Sequence, residues 1–285
     1  MISHLAPSAP QPTRGFTLPE LLATISAITL LAWLAAPAFS SSKGHSQRGI
    51  DLNNVRQIMV AANLYANSNN DHLPHPGWGS IENGSGAGPD NWAYATRNLS
   101  RLPGHPAFIP TAAGRTSNTN QIPFFRIGQL GSYLEYPRIL ECPKDVTDRT
   151  AGLNLSLYRA RAAKLSSYTM NGAVSGYGGI QVGNAALGGT YKVHAFNGTD
   201  ILLWEKDESS PFNFNDLGSN PLNLNEGVSF RHSSAGANPG VRVGGEAIVG
   251  QLDTSAKFLP LQQVRGFMGE RSPRPNPILC GPGYR

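Results

Sequence analysis

The chain has 285 residues and a formal charge of +5, with 14% charged and 40% hydrophobic residues. That hydrophobic share excludes a disordered chain. The basic residues are scattered rather than blocked, and no zinc-finger, RRM-like or helix-turn-helix signature accompanies them, so nucleic-acid binding is not expected. Gly (32) and Pro (22) are abundant, which points to many turns and long loops over a modest core.

The most informative stretch runs from Arg14 to Phe39. Its apolar part, Phe16 to Phe39, is about 24 residues, or roughly 36 Å as a helix, long enough to span a bilayer. One charge, Glu20, lies inside it. A carboxylate deep in hydrocarbon would cost about 2.5–3.5 kcal/mol, so its place needs a reason. Thr17-Leu-Pro-Glu20 fits a helix capping box, with Thr17 as N-cap, Pro19 in the first turn and Glu20 complementing the helix dipole.

The whole string Arg14-Gly15-Phe16-Thr17-Leu18-Pro19-Glu20-Leu21-Leu22 also resembles the cleavage and methylation site of type IV prepilins and type II secretion pseudopilins. The resemblance implies cleavage after Gly15 by a prepilin peptidase and N-methylation of the new terminus, Phe16. It also implies that Glu20 pairs with the terminal amine of a neighbouring pilin-like subunit, since two opposite charges buried together cost less than either alone. Pro19 stands where the family usually has an aliphatic residue. A second reading stays open. Ala36-Pro37-Ala38 resembles a secretory signal-peptide site, and cleavage after Ala38 would release an exported soluble binding or hydrolytic protein.

Beyond the apolar run, Leu52, Val55, Met59, Ala62 and Ala66 recur at spacings of three and four, with Ile58 and Tyr65 widening the stripe. Residues 51–67 therefore read as an amphipathic helix, ended by Asn67-Ser-Asn-Asn-Asp71 and Pro74. A bend is expected near Pro37 and Gly44. An apolar half followed by an amphipathic half resembles a pilin spine.

Residues 72–125 read as a loop-rich insertion. His72 and His75 flank a Leu-Pro and read as surface turn residues rather than a metal pair. A short helix is expected over Ile127–Leu134. Cys142-Pro143-Lys144-Asp145 and Ser167-Tyr168-Thr-Met-Asn171 resemble landmarks of the large pseudopilin-like families and are read as structural, with Cys-Pro at a strand end and Asp145 in a turn. Strands are expected at 190–196, 200–205 and 227–232, and a hairpin from Glu246–Leu252 and Ala256–Leu261 around Asp253-Thr-Ser255. Phe230-Arg-His232 through Asp253 resembles the closing signature of those families, with Thr254 where the family has Gly. A β-branched residue tolerates φ > 0 poorly, so a different turn type is expected.

No nucleophile elbow, P-loop or zincin helix occurs, so the chain is not expected to be an enzyme, and no cofactor or metal is expected. Glu205, Asp207 and Glu208 could hold calcium but read as a solvated loop. Cys142 and Cys280 could pair if the domain lies outside the cytoplasm. The expected fold class is α+β and pilin-like: a long N-terminal helix, half transmembrane and half amphipathic, packed on a C-terminal antiparallel sheet. The segments are 1–15 as leader, 16–39 as transmembrane helix, 40–71 as its amphipathic continuation and 72–285 as a loop-rich β domain. The resemblance places it as a single-pass inner-membrane subunit with its domain in the periplasm or outside the cell, in a pilus or secretion pseudopilus.

Overall fold

The structure, a computed structural model, describes residues 17–77, 90–95, 118–178, 189–232 and 244–284. The chain divides into two compact units, Met1–Ser46 and Gln47–Arg285. Helix α1 (Leu18–Ser68) has segments in both. Its start is chemically defined. The Thr17 N–H and hydroxyl both donate to Glu20 Oε2, at 2.9 and 2.7 Å, and the Leu21 N–H reaches the Thr17 carbonyl at 3.0 Å. This is the carboxylate half of a capping box.

In the first unit, Leu18, Leu22, Ile25, Ile28, Leu31 and Trp33 are all exposed. Thr24, Ser26 and Thr29 interrupt this surface and turn their hydroxyls back onto carbonyls of the preceding turn. Among the described residues no helix is long and apolar enough to cross a membrane. The expected transmembrane half over 16–39 is therefore corrected, and with it the expected single-pass inner-membrane placement.

In the second unit α1 does what its periodicity demands. Val55, Ile58, Met59, Ala62 and Ala66 are buried, a stripe that lays one helix face on the sheet. Leu52 and Tyr65 are only half-buried, whereas Asp51 and Asn54 are buried in the same face. The helix ends where Asn70 and Asp71 take positive φ (55° and 66°) and the Asp71 N–H caps the Ala66 carbonyl, a left-handed terminus that Asn tolerates.

The sheet comprises β1 (Tyr168–Asn171), β2 (Ile201–Glu205), β3 (Gly218–Ser219), β4 (Glu246–Gln251) and β5 (Ala256–Pro260), in the order β3-β1-β2-β4-β5. The expected antiparallel sheet is corrected to a mixed one, because β3 runs parallel to β1 at its edge while the other pairs are antiparallel. Strands β1 and β2 are buried at every position, since both faces are covered. One core joins Val55, Ile58, Met59, Met170, Leu203 and Ile248. The other joins Trp204, Val249 and Ile278 to Leu261 and Val264 of the short helix Leu261–Gly266. Strand β4 packs tightly on α1 at Gly250, where an added Cβ would lie 2.8 Å from Met59 Cγ and 2.9 Å from Val55 Cγ1.

Several expectations fail locally. Residues 190–196 form one isolated bridge, His72 with Lys192, and a 3₁₀ turn at Val193–Ala195 rather than a strand. Residues 227–232 make a single bridge through Val228. The Ser229 hydroxyl then accepts the Arg231 N–H at 3.0 Å and diverts the chain from the ladder. The helix expected at Ile127–Leu134 is instead α2 (Asn118–Arg126), followed by turns. The hairpin is as expected, but Thr254 takes φ 70°. The turn keeps the geometry of a Gly turn without the Gly. His75 is buried rather than a surface residue: its N–H donates to Gln129 Oε1 at 2.7 Å and its Nδ1 accepts the Gly77 N–H at 3.1 Å. Most of the stretch 72–125 expected as a loop-rich insertion, residues 78–89 and 96–117, lies outside the described residues, as do residues 233–243 between His232 and the hairpin.

Candidate metal centre and N-terminal processing segment

Four side chains from distant parts of the sequence converge beneath α1: Asp51, Cys142, Glu205 and His232, with one ligand-type atom from each within 4.8 Å of the others. Asp51 comes from the sheet-facing stripe of α1. Cys142 is the N-cap of α3 (Pro143–Asp148), placed by Pro143 at the first helical position. Glu205 ends β2 and lies directly across from Tyr168 of β1, so both side chains leave the sheet on one face. His232 follows the Ser229 turn and packs edge-on against Phe258 at 5.2 Å.

The two carboxylates share one arrangement. Each has one oxygen held from outside: Asp51 Oδ1 accepts the Tyr168 hydroxyl, and Glu205 Oε1 accepts Arg231 Nη1 at 2.9 Å. Each turns its other oxygen inward. His232 Nε2 lies 2.9 Å from Asp51 Oδ2 and 3.1 Å from Glu205 Oε2. Cys142 Sγ lies 3.6 Å from both Asp51 Oδ2 and His232 Nε2. A single imidazole N–H cannot point at two carboxylate oxygens at once, and Glu205 Oε2 is left buried with no hydrogen bond.

A buried ionic layer supports the cluster. Asp145 accepts both Arg161 Nη1 (2.8 Å) and Nη2 (3.1 Å), accepts the Ser167 hydroxyl at 2.7 Å, and lies 3.0 Å from Arg231 Nη2. Arg161 also stacks on Phe214 at 3.8 Å. Burial would raise the Asp145 pKa, but the Arg231 and Arg161 charges outweigh it and hold the carboxyl below the usual range. Glu205 behaves likewise: burial raises it, and Arg231 with the His232 contact brings it down. Asp51, with no guanidinium, is raised, first by burial and then by the Glu205 charge. Burial would lower His232, but its contacts to Asp51 and Glu205 prevail and lift it to about 9. Burial and the two carboxylates push the Cys142 thiol well above its ordinary value.

The landmarks read from sequence as structural thus meet at one place. Cys142 and Asp145 are a cluster member and an ionic hub, not a strand end and a turn. Ser167 and Tyr168 orient Asp145 and Asp51. Arg231 and His232 close the far side. Asp51 belongs to no sequence motif; a carboxylate on the buried face of an amphipathic helix is the signal that points to it.

The other candidates are placed elsewhere or apart. Cys142 and Cys280, which could have paired, form no disulfide: both are buried thiols, and Cys280 Sγ lies 3.9 Å from Asn171 Nδ2. The Glu205-Asp207-Glu208 group is dispersed. Glu205 enters the cluster, Asp207 accepts the Ser209 N–H at 2.8 Å, and Glu208 accepts the Ser229 hydroxyl at 2.7 Å. Gly15 and Phe16 lie outside the described residues. Glu20 is exposed at the first turn of α1, its pKa lowered by the Thr17 N–H and hydroxyl. No protein-family model, curated protein or solved structure matches the chain.

Proposed function

We propose that the chain is a pilin-like structural subunit, cut after Gly15 by a prepilin peptidase, methylated at Phe16 and assembled through the first part of α1 into a type IV pilus or secretion pseudopilus. The observation that carries this reading is the start of α1. The carboxylate of Glu20 stands at the first turn, and the turns that follow expose Leu18, Leu22, Ile25, Ile28 and Leu31. Large apolar side chains on successive turns of one helix leave surface that favours cover by another helix. Neighbouring copies of the same segment would supply it. In such a packing Glu20 accepts the terminal amine of a neighbour, and its lowered pKa keeps it charged for that role. The work of such a subunit is assembly rather than catalysis.

Replacing Glu20 tests this reading. Glu20→Ala is expected to leave cleavage after Gly15 intact while abolishing incorporation into filaments, read by mass spectrometry of the subunit and by its recovery in sheared filaments. Incorporation at the level of the unaltered chain would remove Glu20 from assembly and the proposal with it.

A further inference from the structure

We propose that Asp51, Cys142, Glu205 and His232 form a tetrahedral binding site for a divalent zinc-class ion that pins α1 to the sheet. Four ligands held about 2.0–2.3 Å from a central ion are spaced roughly 3.3–3.7 Å apart. Four of the six separations among these atoms, 2.9, 3.1, 3.6 and 3.6 Å, approach the edges of such a tetrahedron, and all six lie within 4.8 Å. Each carboxylate is already arranged to offer a single oxygen, because Tyr168 and Arg231 hold the other. Outer partners of this kind orient the ligands of metal sites. Glu205 Oε2 lies 3.1 Å from His232 Nε2 without a hydrogen bond of good geometry, and an ion at the centre of the four atoms would coordinate it.

The donor set selects the ion. A thiolate and an imidazole suit zinc and neighbouring transition ions and disfavour calcium and magnesium. Four protein ligands leave no open position, which makes the site structural rather than catalytic. Binding exchanges protons for the ion: the Cys142 thiol gives up its proton, and His232, where protonated, gives up the one on Nε2. Loss of those two protons balances the two charges of the ion, so the net charge buried with Asp145, Arg161 and Arg231 does not change. The ligands come from α1, the N-cap of α3, the end of β2 and the segment before the hairpin, so one ion would tie together four elements far apart in sequence.

The full chain, stripped with a chelator, is titrated with cobalt(II). The expected result is a single equivalent bound, with thiolate-to-cobalt charge-transfer absorption and the intense d–d bands of tetrahedral geometry. Cys142→Ser is expected to remove the charge-transfer band, and Cys280→Ser to leave it. Tyr168→Phe keeps all four ligands and is expected to weaken binding by about 10–100-fold. Zinc is expected to raise the unfolding temperature of the unaltered chain and to displace cobalt. If Cys142→Ser does not fold, as judged by circular dichroism, the Tyr168→Phe and Cys280→Ser chains carry the decision. Absence of tetrahedral cobalt bands in the unaltered chain would overturn the proposal and leave His232 as an imidazolium between two carboxylates. A charge-transfer band that survives Cys142→Ser or disappears with Cys280→Ser would overturn it equally.

Discussion

The two described segments of α1 break the usual rule of burial in opposite directions. From Leu18 to Leu31 large apolar residues are exposed; from Asp51 to Ala66 a carboxylate and an amide are buried among Val55, Ile58 and Met59. Exposed apolar surface leaves stabilisation unrealised, and a buried carboxylate costs several kcal/mol unless paired. A sequence that specified only this fold would have neither. Departures of this kind often mark function, and the two proposals assign assembly to one segment and ion binding to the other.

Substitutions in the second segment's surroundings are expected to unfold the domain, and those in the first to leave its stability alone. The largest effect is expected from Arg231→Met. It leaves Asp145 with Arg161 and its weaker partners, strips Glu205 of its guanidinium, and is expected to cost about 3–5 kcal/mol by urea unfolding. A loss under about 1 kcal/mol would mean that the ionic layer does not hold the cluster.

His75 gives a buried titratable group away from the cluster. Burial lowers its pKa from 6.5 to about 4. The unfolded chain therefore binds the proton first as the solution is acidified. Stability from this group is full at neutral pH, declines as pH falls through about 6.5 towards about 4, and is lost below that. The whole loss is about 3 kcal/mol at roughly 1.36 kcal/mol per pH unit. His75→Gln is expected to flatten that part of the stability–pH profile; an unchanged slope would refute the assignment.

Gly250→Ala pushes a methyl group against Met59 and Val55 where the helix lies on β4, at an expected cost of about 1–3 kcal/mol. Thr254→Gly should go the other way. Relieving a β-branched residue at φ 70° is expected to stabilise the hairpin by about 1 kcal/mol. At the small end, Leu22→Ser in the exposed segment is expected to change domain stability by less than about 0.5 kcal/mol. A larger loss would show that the segment is part of the domain's own core and erase the contrast.

What the sequence revealed follows the same division. Periodicity found the buried stripe of α1, strand β2 and the β4–β5 hairpin, because there the side-chain pattern and the backbone ladder agree. It failed at 227–232, where alternation looks like a strand but the Ser229 hydroxyl takes the Arg231 N–H and turns Arg231 and His232 inward. It failed at 190–196 because bulky–polar alternation also suits a 3₁₀ turn. The apolar run near the N-terminus invited a membrane span, whereas among the described residues no helix is long and apolar enough to cross a membrane. Cys142-Pro143, Ser167-Tyr168 and Arg231-His232 were visible as short motifs and Asp51 was not; their convergence was hidden because it depends on the packing of α1 onto the sheet.

The first residue of the mature chain decides between assembly and export. Mass spectrometry of the protein from its native host is expected to find a terminus at N-methylated Phe16. A chain beginning at Phe39 would instead mean removal of a conventional signal peptide after Ala38, and would contradict assembly through the N-terminal segment of α1.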